Sequence, residues 1–194
     1  MKIHQIKARD LPDLWFQAVN DILDHGERFV IDRGSYAGQT RLEYDYFMGH
    51  VNYPATVPLI PDIPPGCGIP NPVEHDYIYL NQIEWVIDTY KKFGQRNNQL
   101  VLQVAHPSDL TLLDPPCLRS IDTRIQNDTL NFFVYFRSWD LWNGFPANLA
   151  AIQNLKEYMA GEIGVSDGEM VVESKGLHLY GYAEDLAKLR CLRD

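Results

Sequence analysis

Cys117 follows Asp114-Pro115-Pro116, so a thiol stands behind a rigid double proline at the mouth of an expected strand. Arg119 is close by in sequence, and Arg137-Ser138 ends the expected partner strand. Nearby cations favour the thiolate, which is the nucleophilic form of cysteine. A lone cysteine is more often a small buried core residue, and that reading stays open here. A guanidinium beside a hydroxyl makes a phosphate cradle, because both donate to anionic oxygen. The plainer alternative is a strand-end arginine paired with an acid. After Asp140 comes Asn143-Gly144-Phe145-Pro146-Ala147-Asn148, a tight entry into a helix with Asn148 in its first turn. An amide there both donates and accepts, as reading one edge of a pyrimidine requires; taken alone it would be a cap. His178 and Tyr180 alternate about Leu179, so on a strand both rings face one side. They suit a sugar hydroxyl, or equally a half-buried polar pair.

Composition narrows the chemistry. The 194 residues carry 45% hydrophobic and 22% charged side chains, ordinary globular usage for one domain spanning 1–194. The formal charge is −9, which argues against duplex nucleic acid or an anionic membrane as partner. An anionic ligand therefore needs a local arginine cluster. The three cysteines, Cys67, Cys117 and Cys191, are widely spaced, neither a disulfide framework nor a zinc pattern. The histidines are scattered singly, so no metal is expected, and no phosphate-binding glycine loop appears. No leader and no membrane span are legible, and a soluble cytoplasmic protein is the expectation.

The positioning elements follow from periodicity. Leu11 to His25 reads as a helix with Asp10 as N-cap, Pro12 in the first turn and Gly26 as stop. Glu27 to Gln39 reads as strand and loop, and Arg41 to Phe47 as one strand. Residues 54–72 hold seven of the 12 prolines and read as a long ordered loop. Asn81 to Phe93 reads as a helix with an Asn81/Glu84 capping box. Gln99 to Ala105 is an expected strand, and Ile121–Ile125 with Thr129–Arg137 an expected hairpin about Asn127-Asp128. Leu149 to Ile163 is the strongest helix, followed by a strand at Glu169–Lys175 and a short helix at Glu184–Leu192. Interspersed strands and helices predict an α+β fold.

The order Pro116-Cys117, Arg137-Ser138-x-Asp140, Gly144-x-Pro146-x-Asn148, His178-x-Tyr180 resembles the thymidylate synthase family, and most of all its compact archaeal-type members. The similarity covers roughly Gln82 to Ala187, about half of the chain. It implies a large mixed β-sheet backed by helices, with two sheets packed face to face in a homodimer. The aromatic strand from Thr129 to Phe136 suits a sheet covered on both faces. The implied reaction is methylation of a uracil nucleotide at C5, dUMP to dTMP, with 5,10-methylenetetrahydrofolate or a methanopterin analogue as cofactor. By similarity Cys117 is the nucleophile at pyrimidine C6. Arg137 and Ser138 hold the phosphate, with Arg137 near the sulfur, and Arg33 in Asp32-Arg33-Gly34 matches the early phosphate arginine. Asp140 faces the pterin and its water network, with Gly144 beside the cofactor. Asn148 reads O4 and N3–H, and His178 and Tyr180 take the ribose 3′-hydroxyl. Members that act on cytosine carry aspartate at the Asn148 position, so asparagine implies uracil.

Some family features differ. Asn97 and Asn98 occupy the positions of the paired arginines that reach across the dimer, leaving Arg96 as the nearby candidate. The catalytic glutamate helix has no clear match, and Tyr77 or Tyr79 would supply the tyrosine of the general-acid network. No long segment follows Tyr180 to close over folate. Water reaching an unshielded intermediate would give a 5-hydroxymethyl nucleotide. Two alternatives therefore stand beside methylation: a pyrimidine nucleotide hydroxymethylase on the same scaffold, and a nucleotide-binding protein without turnover.

Overall fold

Among the described residues the strands fall into two sheets. The computed structural model describes residues 1–32, 36–62 and 81–193. Arg33, Cys67, Tyr77, Tyr79 and much of the Pro-rich stretch lie outside the described residues.

The larger sheet has six strands in the order β1 (Ile3–Ala8), β4 (Tyr46–Val51), β9 (Ser166–Ser174), β7 (Thr129–Phe136), β6 (Leu118–Gln126) and β5 (Val101–Gln103). It is mixed: β1 with β4 and β7 with β9 run parallel, the other pairs antiparallel. The smaller sheet has the order β2 (Glu27–Val30), β3 (Thr40–Glu43), β10 (Leu177–Tyr180) and β8 (Trp139–Asp140). With the helices α1 (Leu11–His25), α2 (Gln82–Phe93), α3 (Gly144–Ile163) and α4 (Gly181–Arg190), this is the expected α+β architecture.

Helices α1, α2 and α3 cover one face of the large sheet. Alternation sends Phe47, Val51, Leu130, Phe132, Val134, Met170 and Val172 into that core. Gly49 marks where α1 comes nearest, because a Cβ there would sit 2.8 Å from Leu14 Cδ2. The other face stays open: Phe133 in β7 is 40% exposed. Among the described residues β7 is covered on one side; the two-sided burial expected of it belongs to the face-to-face homodimer.

Asp10 caps α1 as expected, its side chain accepting from the Asp13 amide at 2.9 Å. The capping box on α2 is absent. Asn81 is left-handed at φ 49° and makes no side-chain cap, and Glu84 instead accepts from the Tyr158 hydroxyl at 3.1 Å. The single strand expected over Arg41–Phe47 is broken between the two sheets. There the buried Tyr44 donates its hydroxyl to Asp21 Oδ2 at 2.6 Å. The hairpin turns at Asn127-Asp128, both at positive φ, the pattern that matches strand twist. Helix α3 starts at Gly144, so Asn148 lies in its second turn rather than its first. The described part of the Pro-rich stretch is loop; Leu59 packs on the core, and the Asp62 carbonyl accepts from Arg190 Nε at 3.0 Å. Among the described residues no helix is long and apolar enough to cross a membrane.

Candidate active site

The site is assembled where β6 begins, β7 ends and the small sheet starts. The Cys117 carbonyl accepts from the Arg137 amide at 2.8 Å, which joins the strand mouth to the strand end. The loop before Cys117 is pinned by two guanidinium groups. Arg119 Nη1 pairs with Asp109 Oδ2 at 2.9 Å and donates to the Pro116 carbonyl at 3.1 Å. Arg137 Nε donates to the Pro115 and Pro116 carbonyls at 3.2 Å, and Nη2 to Asp114 Oδ1 at 3.0 Å and to the Pro115 carbonyl. Among the described residues Nη1 of Arg137 donates to nothing. In this arrangement Arg137 holds the loop that presents the thiol, with one nitrogen left for an anion.

Cys117 reaches the surface. The walls around its sulfur still remove enough water to push the thiol above its ordinary pKa. Arg137 pulls it down, Asp114 pushes it up and Arg119 pulls it down again, each more weakly than the loss of hydration. The thiolate favoured by sequence neighbours alone is thus outweighed in the free protein.

Asp140 lies under the start of α3. Its Oδ1 accepts from the Trp142 amide at 3.1 Å, and its Oδ2 from those of Asn143 and Gly144 at 3.3 Å. Burial raises its pKa against these three donors. Gly144 has room for a methyl group, the nearest atoms to a Cβ being 3.5 Å away, so its part is the amide given to Asp140. Asn148 turns its Oδ1 to the indole Nε1–H of Trp139 at 3.0 Å.

Strand β10 brings in the two rings. His178 is buried, and its Nδ1–H donates to the Gly176 carbonyl at 2.8 Å, with Ser138 Oγ 3.5 Å from the same nitrogen. Burial first, then Arg41 and Arg137, push its pKa down to about 3, so the ring is neutral and Nε2 carries a lone pair. That Nε2 is buried and, among the described residues, has no hydrogen-bond partner. Glu43 Oε2, 4.0 Å from Nδ1, is too distant to hold the ring protonated. Tyr180 packs edge-on against His178 at 4.6 Å and stacks on Tyr182 at 5.6 Å. Burial raises its hydroxyl pKa, and the charges of Asp140 and of a Cys117 thiolate add to the rise. Both groups therefore lie within electrostatic reach of Tyr180.

The structure thus gathers Cys117, Arg137, Ser138, Asp140, Gly144, Asn148, His178 and Tyr180 into one patch. Arg96 does not join it. It is an exposed residue beside Gln95, whose amide donates to Asp128 at the turn end of the β6–β7 hairpin, opposite Cys117. Sequence reasoning missed Arg41, Glu43, Trp139 and Tyr36. Arg41 opposes Tyr180 and Glu43 opposes His178 across the β3–β10 ladder. Arg41 Nη2 pairs with Glu43 Oε2 at 2.5 Å, and Arg41 Nε is buried with no hydrogen-bond partner among the described residues. Tyr36 packs on Tyr180 at 4.6 Å. Alternation along Thr40–Glu43 was the available signal for Arg41 and Glu43, but only the ladder shows what they face.

A family model described as Thymidylate synthase matches residues 16–194. A Methanosarcina acetivorans protein, provisionally named a thymidylate synthase, is 26% identical over 204 residues, 94% of this chain and 92% of its own length. A Methanopyrus kandleri protein with the same provisional name is 23% identical over 202 residues, 95% of each chain. The thymidylate synthase of varicella-zoster virus is 28% identical over 115 residues, 59% of this chain and 38% of that protein. With the family model spanning every described residue of the site, the chain belongs to the thymidylate synthase family.

Proposed function

We propose that this protein methylates C5 of a uracil nucleotide, dUMP to dTMP, through a covalent bond between Cys117 and pyrimidine C6. The observation that carries the reading is the convergence of an accessible thiol, an arginine–serine pair, an oriented asparagine and a neutral histidine with an open acceptor. Arg137 Nη1 and Ser138 Oγ take the phosphate. His178 Nε2, buried and unpartnered among the described residues, accepts the sugar 3′-hydroxyl, with Tyr180 beside it. Asn148 donates through Nδ2 to O4 and accepts N3–H through Oδ1.

When Cys117 sulfur adds to C6, the pair of electrons of the C5–C6 double bond moves toward O4. The Asn148 amide donates where that charge grows, so it stabilises the addition more than the ground state. Carbon 5 is then nucleophilic. The C5 proton is lost after substitution there, and expulsion of sulfur once the methyl group is complete restores the ring and frees Cys117. The thiol starts protonated, so it gives its proton to solvent, which Cys117 reaches, before attack, and Arg137 favours the anion formed.

The residues near α3 fit a folate cofactor. The side-chain amide of Asn143 lies beside the Tyr182 hydroxyl, and its backbone N–H donates to the Asp140 carboxylate at 3.3 Å. Together they offer a donor and an acceptor to a pterin edge, and the stacked Tyr180–Tyr182 pair offers a flat apolar wall. Bound methylenetetrahydrofolate supplies the one-carbon unit and, for a methyl product, a hydride.

The open face of the large sheet, with Phe133 and Tyr135 on β7 and Val171 on β9, supports a homodimer through sheet-to-sheet packing. Arg96 would then belong to the partner's site. Incubation with dUMP and methylenetetrahydrofolate tests the activity. The expected products are dTMP and dihydrofolate, seen as a rise in absorbance. Tetrahydrofolate with 5-hydroxymethyl-dUMP supports the hydroxymethylase instead. Binding of dUMP without turnover supports a nucleotide-binding protein.

A further inference from the structure

We propose that Trp139 is a positioning residue that sets which base Asn148 accepts, an inference that rests on Asn148 reading the pyrimidine. The side chain is 2% exposed and stacked on Phe136 at 3.8 Å and 6°, with Phe145 4.4 Å away on its other flank. The indole is therefore held, and so is the direction of its N–H. An indole N–H only donates, so the atom it meets at 3.0 Å must be the amide oxygen of Asn148. The Nδ2 amino group is then turned the other way.

This matters because an asparagine amide is nearly symmetrical in shape. Left free, it could rotate by half a turn and exchange its donor and acceptor ends. Uracil offers a carbonyl acceptor at C4 and an N–H donor at N3. Cytosine offers an amino donor at C4 and an acceptor at N3. The held amide suits uracil, with Oδ1 taking N3–H on its second lone pair and Nδ2 giving to O4. The rotated amide suits cytosine. Rotation would leave Trp139 Nε1–H facing an amino group inside the core, a buried donor without a partner. Trp139 thus makes the uracil orientation the stable one before any nucleotide arrives, and asparagine alone does not settle base choice.

The test compares dissociation constants for dUMP and dCMP by calorimetry, without folate, in the wild type and in Trp139→Phe. The wild type is expected to favour dUMP by tenfold or more, of order the discrimination a mispaired buried polar group gives. Trp139→Phe is expected to bring that ratio down to about threefold or less, since the amide now samples both orientations at similar cost. The ratio is internal to each protein, so a general loosening of the site would weaken both nucleotides and leave it unchanged. A benzothiophene analogue of tryptophan at position 139 keeps the ring shape and lacks only the N–H; it covers the case in which Trp139→Phe fails to fold. A selective wild type whose ratio is unchanged in the variant that folds overturns the amide lock and leaves the active-site reading standing. A wild type that binds neither nucleotide overturns both.

Discussion

At the residue scale, the reactivity of Cys117 is a balance between lost hydration and two guanidinium groups. Sequence neighbours alone pointed to a lowered thiol pKa. They showed Arg119 and Arg137 but not the desolvating walls, nor that both cations are engaged by the Asp114–Pro116 loop. The thiolate fraction of the free protein should therefore keep rising as pH passes 9, the ordinary value of a cysteine thiol. Iodoacetamide labelling of Cys117, followed by peptide mass spectrometry, should accelerate throughout that range; a plateau between about pH 7 and 8 contradicts it. Arg137→Gln removes a cation that lowers the pKa, so labelling at pH 8 should slow by about three- to tenfold. The candidate residues were legible because their types recur in a fixed order. Arg41, Glu43 and Trp139 were not, because their roles come from strand pairing and from a contact with Asn148 nine positions away.

At the element scale, the helices were read well where local chemistry sets their ends. Asp10 caps α1 and Gly26 follows it, both short-range events. The capping box on α2 failed because Asn81 enters in the left-handed region, and Glu84 is claimed by Tyr158 from another helix. Strands β1 and β8 went unread. The first alternates weakly at the chain start, and the second has two residues, defined only by pairing with β10. Gly49 gives an element-level test of how α1 is seated. A methyl group there would meet Leu14 at 2.8–2.9 Å and Val172 at 3.0 Å. Gly49→Ala should push α1 off the sheet and destabilise the fold by about 1–3 kcal/mol in chemical denaturation. Trp15 donates to the Leu141 carbonyl from α1 at 2.9 Å, so that shift should reach the Asp140–Asn143 turn and lower nucleotide affinity as well. Unchanged stability would mean that the helix is not seated this closely.

At the scale of the whole molecule, the α+β class was legible but the strand order was not. The arrangement β1-β4-β9-β7-β6-β5 joins segments more than one hundred residues apart, and no local pattern encodes it. The same limit applied to β7. Its aromatic content suggested burial on both faces in a dimer, and the described residues of one chain cover the face toward α3 and leave Phe133 at 40% exposure. A second copy would cover the rest. Sedimentation should show a dimer that Phe133→Glu dissociates to monomers, because burying an unpaired carboxylate in the interface is costly. A wild type that sediments as a monomer at micromolar concentration would remove the sheet-to-sheet dimer and the role given to Arg96.

Catalysis as proposed requires Cys117 to bond to C6 of a bound uracil nucleotide. Mass spectrometry of the protein incubated with 5-fluoro-dUMP and methylenetetrahydrofolate tests it most directly, since fluorine at C5 blocks release and traps the bond. One adduct is expected, carried by the peptide containing Cys117 and absent from Cys117→Ala. An adduct on another residue, or none under conditions where dUMP binds, would contradict it.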